Sequence, residues 1–297
     1  MNGIVLIDKP AGCTSHDVVN RWRRLANTKR AGHLGTLDPM ATGLLVVLTG
    51  AATRLMQFFE KEEKAYEAEI RLGVVSDTYD ADGDVKETGI RTPDAAAVEE
   101  ALGQFRGRIR QTPPPFSAKK IKGVPAYKLA RKAVPVELKP VEVEVRSLEI
   151  ESVSGHTARI VVTVSSGTYV RSLAHDLGQR LGCGAILNEL RRTRVGPFHA
   201  HCAKTLEQLE EMAGAGRLSE AIVPAAQLLP AFPAEYVDAA TEAQIRQGRD
   251  FRTSPFVVRP GAPFVKAISR TGELIAVGEL RMPNLYHPSI VFEPTRL

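Results

Sequence analysis

Apolar positions in this chain change period from segment to segment, and each period predicts an element. Ile4 to Ile7 and Leu44 to Leu48 are short apolar runs of strand length. Ser15 is placed to cap a helix reaching about Ala26, with Val18, Trp22 and Leu25 on one face and Arg21, Arg23 and Arg24 on the other. A second short helix is expected over Ala51 to Glu60. Lys64 to Gly73 alternates, with Tyr66, Ala68, Ile70 and Leu72 on the inward face of a half-buried strand. Thr92-Pro93-Asp94 reads as a helix start, Pro93 suiting the first turn, with Val98, Leu102 and Phe105 as its stripe. Val141 to Val145 and Ala158 to Val164 alternate and are expected to pair antiparallel. Ser165 to Thr168 breaks that pattern. A helix follows that turns Val170, Leu173, Ala174, Leu177 and Leu181 inward and stops at Gly182-Cys183-Gly184. Thr205 and Gln208 have capping-box spacing. Prolines from Pro224 to Pro233 mark a boundary. Beyond it, a helix near Glu242 to Gln247 and a hairpin, Val265 to Ser269 with Leu274 to Glu279, predict a small strand-rich appended domain.

Composition narrows the class. The chain has 297 residues, 43% hydrophobic and 25% charged, as in ordinary globular proteins. No apolar run approaches the roughly 18 residues of a membrane span. Asp8-Lys9 interrupts the first apolar stretch too early for a signal peptide. Three cysteines without a spacing pattern fit a reducing cytoplasm. The net charge is +5, unevenly spread. Ala101 to Val136 holds no acid but carries Arg106, Arg108, Arg110, Lys119, Lys120, Lys122, Lys128, Arg131 and Lys132. Arg21 to Arg30 holds five basic residues and no acid. Segregated basic charge points to a polyanion partner. The stretch from Gln111 to about Val136 is also punctuated by proline, with a helical piece expected near Tyr127 to Lys132. It reads as an excursion from the core that grips a nucleic-acid backbone.

Several chemistries are excluded by what is missing. There is no Gly-Lys pair for a P-loop, no dinucleotide fingerprint and no Gly-x-Ser-x-Gly elbow. The acidic stretch Ser76 to Asp84 fails the EF-hand register, since Val85 follows Asp84. His199, His201 and Cys202 have no fourth ligand at zinc spacing. No metal and no cofactor are expected. What remains is Gly32 to Leu45, Gly-His-Leu-Gly-Thr-Leu-Asp-Pro-Met-Ala-Thr-Gly-Leu-Leu. Its glycines and proline impose a tight loop, and Pro39 holds Asp38 out of the helical region. A single carboxylate is thus presented from a stiff turn just before a buried strand. Arg171 falls in the first turn of its helix, where a cation opposes the helix dipole, so an anion is expected beside it.

That loop resembles the active-site motif of the TruB family of bacterial tRNA pseudouridine synthases, which modify the uridine at position 55 in the T-loop. The resemblance extends in order along the chain, through Asn2 to His16, Lys64-Ala65-Tyr66, Ser76 to Gly83, Pro113 to Gly123, Ser166 to Arg171 and Leu190-Arg191-Arg192-Thr193. It implies an α+β pseudouridine synthase fold with a mixed, mainly antiparallel sheet. It divides the chain into a catalytic domain over residues 1–228, with a basic RNA-gripping insertion at about 111–136, and a small PUA-like β domain over 229–297.

The resemblance also implies roles. Asp38 would be the catalytic aspartate, acting on the uracil ring or the sugar. Arg171 would pair with it. Tyr66 would stack on the flipped uracil and serve in proton transfer. Tyr169 and Leu190 would line the uridine pocket, and His33 would fill the space the base leaves. Lys9 and Lys120 would hold phosphates. Base flipping, glycosidic cleavage and rejoining through C5 need no cofactor. The partner would be the T-arm of tRNA, the protein a cytoplasmic monomer. A non-catalytic tRNA-folding chaperone on the same scaffold is the alternative. A glycosidase would need a second carboxylate, and only Asp80 or Asp82 is available, without support from spacing.

Overall fold

The computed structural model describes residues 1–117, 119–121, 124–125, 138–256, 258 and 261–293. The helical piece expected near Tyr127 to Lys132 lies outside the described residues, as does most of the insertion. The first half of the chain forms β1 (Gly3–Lys9), α1 (Ser15–Leu25), β2 (Ala31–His33), β3 (Thr42–Thr49), β4 (Lys64–Leu72), α2 (Ala95–Gly103) and β5 (Gly107–Gln111). Then come β6 (Val141–Ser154), β7 (Thr157–Val164), α3 (Val170–Leu181), β8 (Ala185–Val195), α4 (Leu206–Gly214) and β9 (Ile222–Pro224). The strands join one ten-stranded sheet with the order β9-β1-β3-β8-β4-β7-β6-β5, β2 pairing with β3 and the two residues Phe198–His199 pairing with β8 as the tenth strand. Its described pairs are antiparallel except β3 with β8, which run parallel at Thr42–Arg191 and Gly43–Arg192.

The sheet is covered on both faces, so β1 and β3 bury both of their alternating sets. Val5, Ile7, Leu45 and Val47 meet Val18, Val19 and Trp22 of α1 and Leu206 and Leu209 of α4. Farther along, α2 and α3 lie on β4, β6, β7 and β8 through Leu102, Leu173 and Leu177. Helix starts follow side-chain caps rather than the expected residues. Thr14, not Ser15, caps α1, in a capping box with Asp17, and Asp94 caps α2, leaving Pro93 outside it. Residues 50–58 form a 3₁₀ rather than an α helix. The capping box at Thr205 and the left-handed Gly182 at the end of α3 match their sequence signals.

The C-terminal residues form a second sheet from β10 (Ala234–Tyr236), β11 (Phe251–Arg252), β12 (Phe264–Ile268), β13 (Leu274–Met282) and β14 (Leu285–Val291), in the order β10-β12-β13-β14-β11. The short helix α5 (Ala239–Arg246) accompanies it. This sheet shares a core with the first. Leu44, Leu48, Leu55 and Phe59 pack with Ile268, Leu274, Ile290 and Phe292. The buried Lys266 fastens the connecting segment by donating to the carbonyls of Ala226 (3.1 Å) and Leu228 (2.9 Å). Arg54 reaches across to the carbonyl of Val291 at 2.8 Å.

A shared core predicts one cooperative thermal transition. Phe292→Ala should cost about 3–5 kcal/mol of stability and lower that single transition. Calorimetry resolving two independent transitions in the unaltered chain would show that the sheets unfold separately.

Candidate active site

The loop between β2 and β3 is held by its own carbonyls. Every carbonyl from Gly35 to Ala41 except that of Met40 accepts a described hydrogen bond. Arg192 donates to Gly35 (3.0 Å) and Thr36 (3.4 Å), and also to Leu44 (2.8 Å). Ser15 grips Leu37 both ways, its hydroxyl donating to the carbonyl at 3.1 Å and accepting from the N–H at 2.8 Å. Ala41 N–H donates to the Asp38 carbonyl at 3.1 Å. Lys9 Nζ donates to Pro39 (3.2 Å) and Ala41 (2.7 Å), as well as to Pro10 (2.8 Å).

Lys9, read from the sequence as facing RNA, is therefore interior, and so is Arg192. Lys9 is fully buried and holds the loop instead of a phosphate. Burial pushes its ammonium pKa down. Arg192, which stands in the sequence beside Arg191 and close to Arg194, is fully buried under the same loop. Gly43 permits this arrangement. It sits at a positive φ of 95° where β3 meets β8, and a Cβ there would come within 2.4 Å of the Arg192 carbonyl.

Arg171 lies in the first turn of α3 and is 5% exposed. The anion expected beside it is present, and there are two. Nη2 contacts Asp38 Oδ1 at 2.9 Å and Nη1 contacts Asp80 Oδ2 at 3.3 Å. The carbonyls of Thr78 (3.1 Å) and Phe116 (2.9 Å) take the remaining Nη donors. Asp80 is buried, and burial pushes its carboxyl pKa up against the pull of Thr78 and Arg171. Its Oδ1 accepts from Thr78 Oγ1 and the Asp82 N–H. Both oxygens are engaged, so Asp80 is not the free second carboxylate of a glycosidase. Asp38 is the more open of the two, at 29%, and its Oδ2 has no hydrogen-bond partner among the described residues.

Asp38 and Arg171 line a cavity of about 620 Å³ together with Tyr66, Tyr169, Leu190 and His33. Tyr66 and Leu190 are each 7% exposed. Burial pushes the Tyr169 phenol pKa up. His33 is driven down by burial and then by the Arg192 charge, and its Nδ1 lacks a partner among the described residues. Gln111, which no sequence signal marked, is fully buried, and its amide reads the main chain of Tyr169 in both directions, at 3.0 and 2.8 Å. Asp80 gave only a motif position. Its role became visible once the chain brought it to Arg171. The backbone of Lys120–Ile121 pairs with Val124–Pro125, while the Lys120 side chain lies outside the described residues. Among the described residues no group of three His, Cys, Asp or Glu side chains is placed to hold a metal.

The sequence has named relatives. A family model described as TruB family pseudouridylate synthase, N-terminal domain, matches residues 23–170, and one described as tRNA pseudouridylate synthase B C-terminal domain matches residues 171–230. The second sheet, which begins at Ala234, lies beyond both. The chain is 53% identical to tRNA pseudouridine synthase B of Solibacter usitatus over 98% of its own length and 100% of the relative's. It is 44% identical to that of Aquifex aeolicus, over 84% of this chain and 86% of the other. A solved chain from an H/ACA RNP bound to a substrate RNA containing 2'-deoxyuridine is similar with a TM-score of 0.70 and 25% identity, over 98% of this chain and 85% of that one. A Cbf5-Nop10-Gar1 complex gives 0.68 and 28%, over 95% and 79%.

Asp38→Asn should lower single-turnover reaction of an RNA substrate by more than about 10³-fold with RNA affinity kept. Asp80→Asn should lower it by about 10²-fold through misplacement of Arg171, again with affinity kept. Rates near wild type for either, by stopped reaction and product mapping, would remove that residue from the site.

Proposed function

The chain belongs to the TruB family of pseudouridylate synthases, and we propose that it isomerises uridine to pseudouridine in the T-loop of tRNA. The observation that carries this reading is the Asp38–Arg171 pair at the edge of a cavity lined by Tyr66, Tyr169 and Leu190. In that cavity a uracil stacks on the face of Tyr66 and lies against Leu190. A stacked loop base hides its reacting atoms, so the target nucleotide flips out, at a cost of a few kcal/mol. His33 at the cavity wall takes the place the base leaves, and an uncharged imidazole suits that stacked position.

Asp38 Oδ2 meets the nucleotide while Oδ1 stays on Arg171. The N1–C1' bond breaks, the uracil turns, and a C5–C1' bond forms. The proton on C5 leaves and N1 gains one, so substrate and product have the same composition. Tyr66 supplies the aromatic hydroxyl for this proton exchange. All of these residues come from one chain, which supports action as a monomer. The loop carbonyls held by Lys9 and Arg192 keep Asp38 in place before the RNA arrives, so little reorganisation is left for the reaction itself.

The basic stretch after α2 grips the RNA backbone. Arg108 and Arg110 are exposed on β5, which leads into the insertion that carries Lys119 and Lys120. Residues 1–228 are the catalytic domain, and 229–297, which include the second sheet, are a PUA-like RNA-binding domain fixed to it. No helix among the described residues is long and apolar enough to cross a membrane, which suits an enzyme that meets tRNA in the cytoplasm.

Incubation with an unmodified tRNA transcript, followed by chemical mapping, should show one new pseudouridine in the T-loop. A product elsewhere would move the target. No product with tight binding retained would favour a tRNA-folding chaperone. Charge reversal at Arg110, Lys119 and Lys120 should weaken binding and reduce the slope of log affinity against log salt, by roughly one for each phosphate that is no longer neutralised. An unchanged slope would mean that this stretch does not touch phosphate.

A further inference from the structure

Tyr79 has a backbone conformation that its side chain disfavours. Its φ is +66°, in the left-handed region, where a bulky residue is uncommon and persists only when its surroundings hold it. Two contacts hold it. Its ring lies flat against the imidazole of His175, with centroids 3.8 Å apart and planes 8° from parallel. Its carbonyl accepts from Leu187 N–H at 3.0 Å, and Ala81 N–H donates back to the Leu187 carbonyl at 3.0 Å. The loop is thereby tied to α3 on one side and to β8 on the other.

The neighbours of Tyr79 give this strain a purpose. The Thr78 carbonyl and the Asp80 carboxylate both bind Nη1 of Arg171, at 3.1 and 3.3 Å. A left-handed residue between them turns the chain so that a carbonyl before it and a side chain after it converge on one guanidinium. His175 stands four positions after Arg171 on α3, one helical turn away. The stack thus joins the loop that grips Arg171 to the helix that carries Arg171.

We propose that the Tyr79–His175 stack is a buckle that sets the position of Arg171, and through it Asp38, so that both are positioning residues for the isomerisation. This rests on the reading of the Asp38–Arg171 pair as the reaction centre. Burial lowers the imidazole pKa of His175 and raises the phenol pKa of Tyr79. Both rings are therefore uncharged near neutral pH, and two uncharged faces stack without a charge to be solvated. The buckle touches no substrate. It is also separate from the Lys9 and Arg192 contacts that hold the opposite side of the site.

The test is single-turnover reaction on a tRNA transcript with enzyme in excess, beside direct measurement of tRNA affinity. His175→Ala should slow the reaction about tenfold and leave affinity within about twofold. His175→Phe, which keeps a flat ring, should restore the rate to within about twofold of wild type. Tyr79→Asn, which tolerates the left-handed conformation but removes the ring, should show the same loss as His175→Ala. In an Asp80→Asn background, His175→Ala should add nothing further, because the grip it supports is already broken. A wild-type rate in both His175→Ala and Tyr79→Asn, a loss that Phe at 175 does not restore, or independent losses in the double variant would overturn the buckle. Asp38→Asn run alongside separates the two readings. If it is inactive while both ring variants react normally, the buckle alone fails. If it still reacts, the reading of the site fails and the buckle with it.

Discussion

A guanidinium at 5% exposure must find acceptors inside the protein, and the arrangement around Arg171 follows from that requirement. Losing water costs a buried cation several kcal/mol unless opposite charge and good hydrogen bonds replace it. Four acceptors do so here, two carboxylates and two carbonyls, drawn from three separate loops and aimed at one side chain. Each of these loops is constrained because Arg171 is buried, and Arg171 stays buried because they converge. Asp38 is the member of this set with an oxygen to spare. Its position is thus fixed by the cost of disturbing its neighbours, and the cavity inherits a preset carboxylate.

Lys9 and Arg192 solve a related problem in a different way. Both are fully buried, and the described acceptors of both are main-chain carbonyls. Besides Pro10 and Leu44, their partners are the carbonyls of a loop too tight to pair them with a strand or helix. The loop thus supplies acceptors that the cations need, and the cations satisfy carbonyls that the loop would otherwise leave buried and unpaired. The parallel contact of β3 with β8 makes this possible, because it carries Arg192 directly beneath the loop's exit at Gly43. Sheet topology and site geometry are here one constraint.

This explains which parts were legible in the sequence. Period-two strands such as β4, and the amphipathic stripes of α1 and α3, were readable because one alternation or one helical face answers to one buried surface. The cap of α1 was readable to within one residue and that of α2 to within two; Thr14 and Ser15 both carry hydroxyls, and only the geometry shows that Ser15 is spent on Leu37. The Asp38 loop and its partner Arg171 were marked by motif and by the awkward place of a cation in a helix's first turn. Lys9 was misread, and the place of Arg192 was not readable, because a one-dimensional pattern does not show whether a cation ends in water or under a loop. Gln111 and Asp80 were missed for the same reason, since their importance lies in what lies across from them, 58 and 91 positions away at Tyr169 and Arg171.

The same distinction changes what the net charge of +5 means. On α1, Arg21 is tied to Glu210 at 2.7 Å and Arg23 to the Ala31 carbonyl at 2.7 Å, so much of that basic stretch serves the fold. Lys9, Arg171, Arg192 and Lys266 are interior as well. Attraction of a polyanion therefore does not follow from a count of cations. It depends on exposed ones such as Arg108 and Arg110 at the surface, which salt screens. Lys9 and Arg192 have no carboxylate within ion-pair distance among the described residues, and carbonyls of the Asp38 loop take their donors instead. Those two cations are spent on the geometry of the loop, so they add to the formal charge without adding to the face that a polyanion meets.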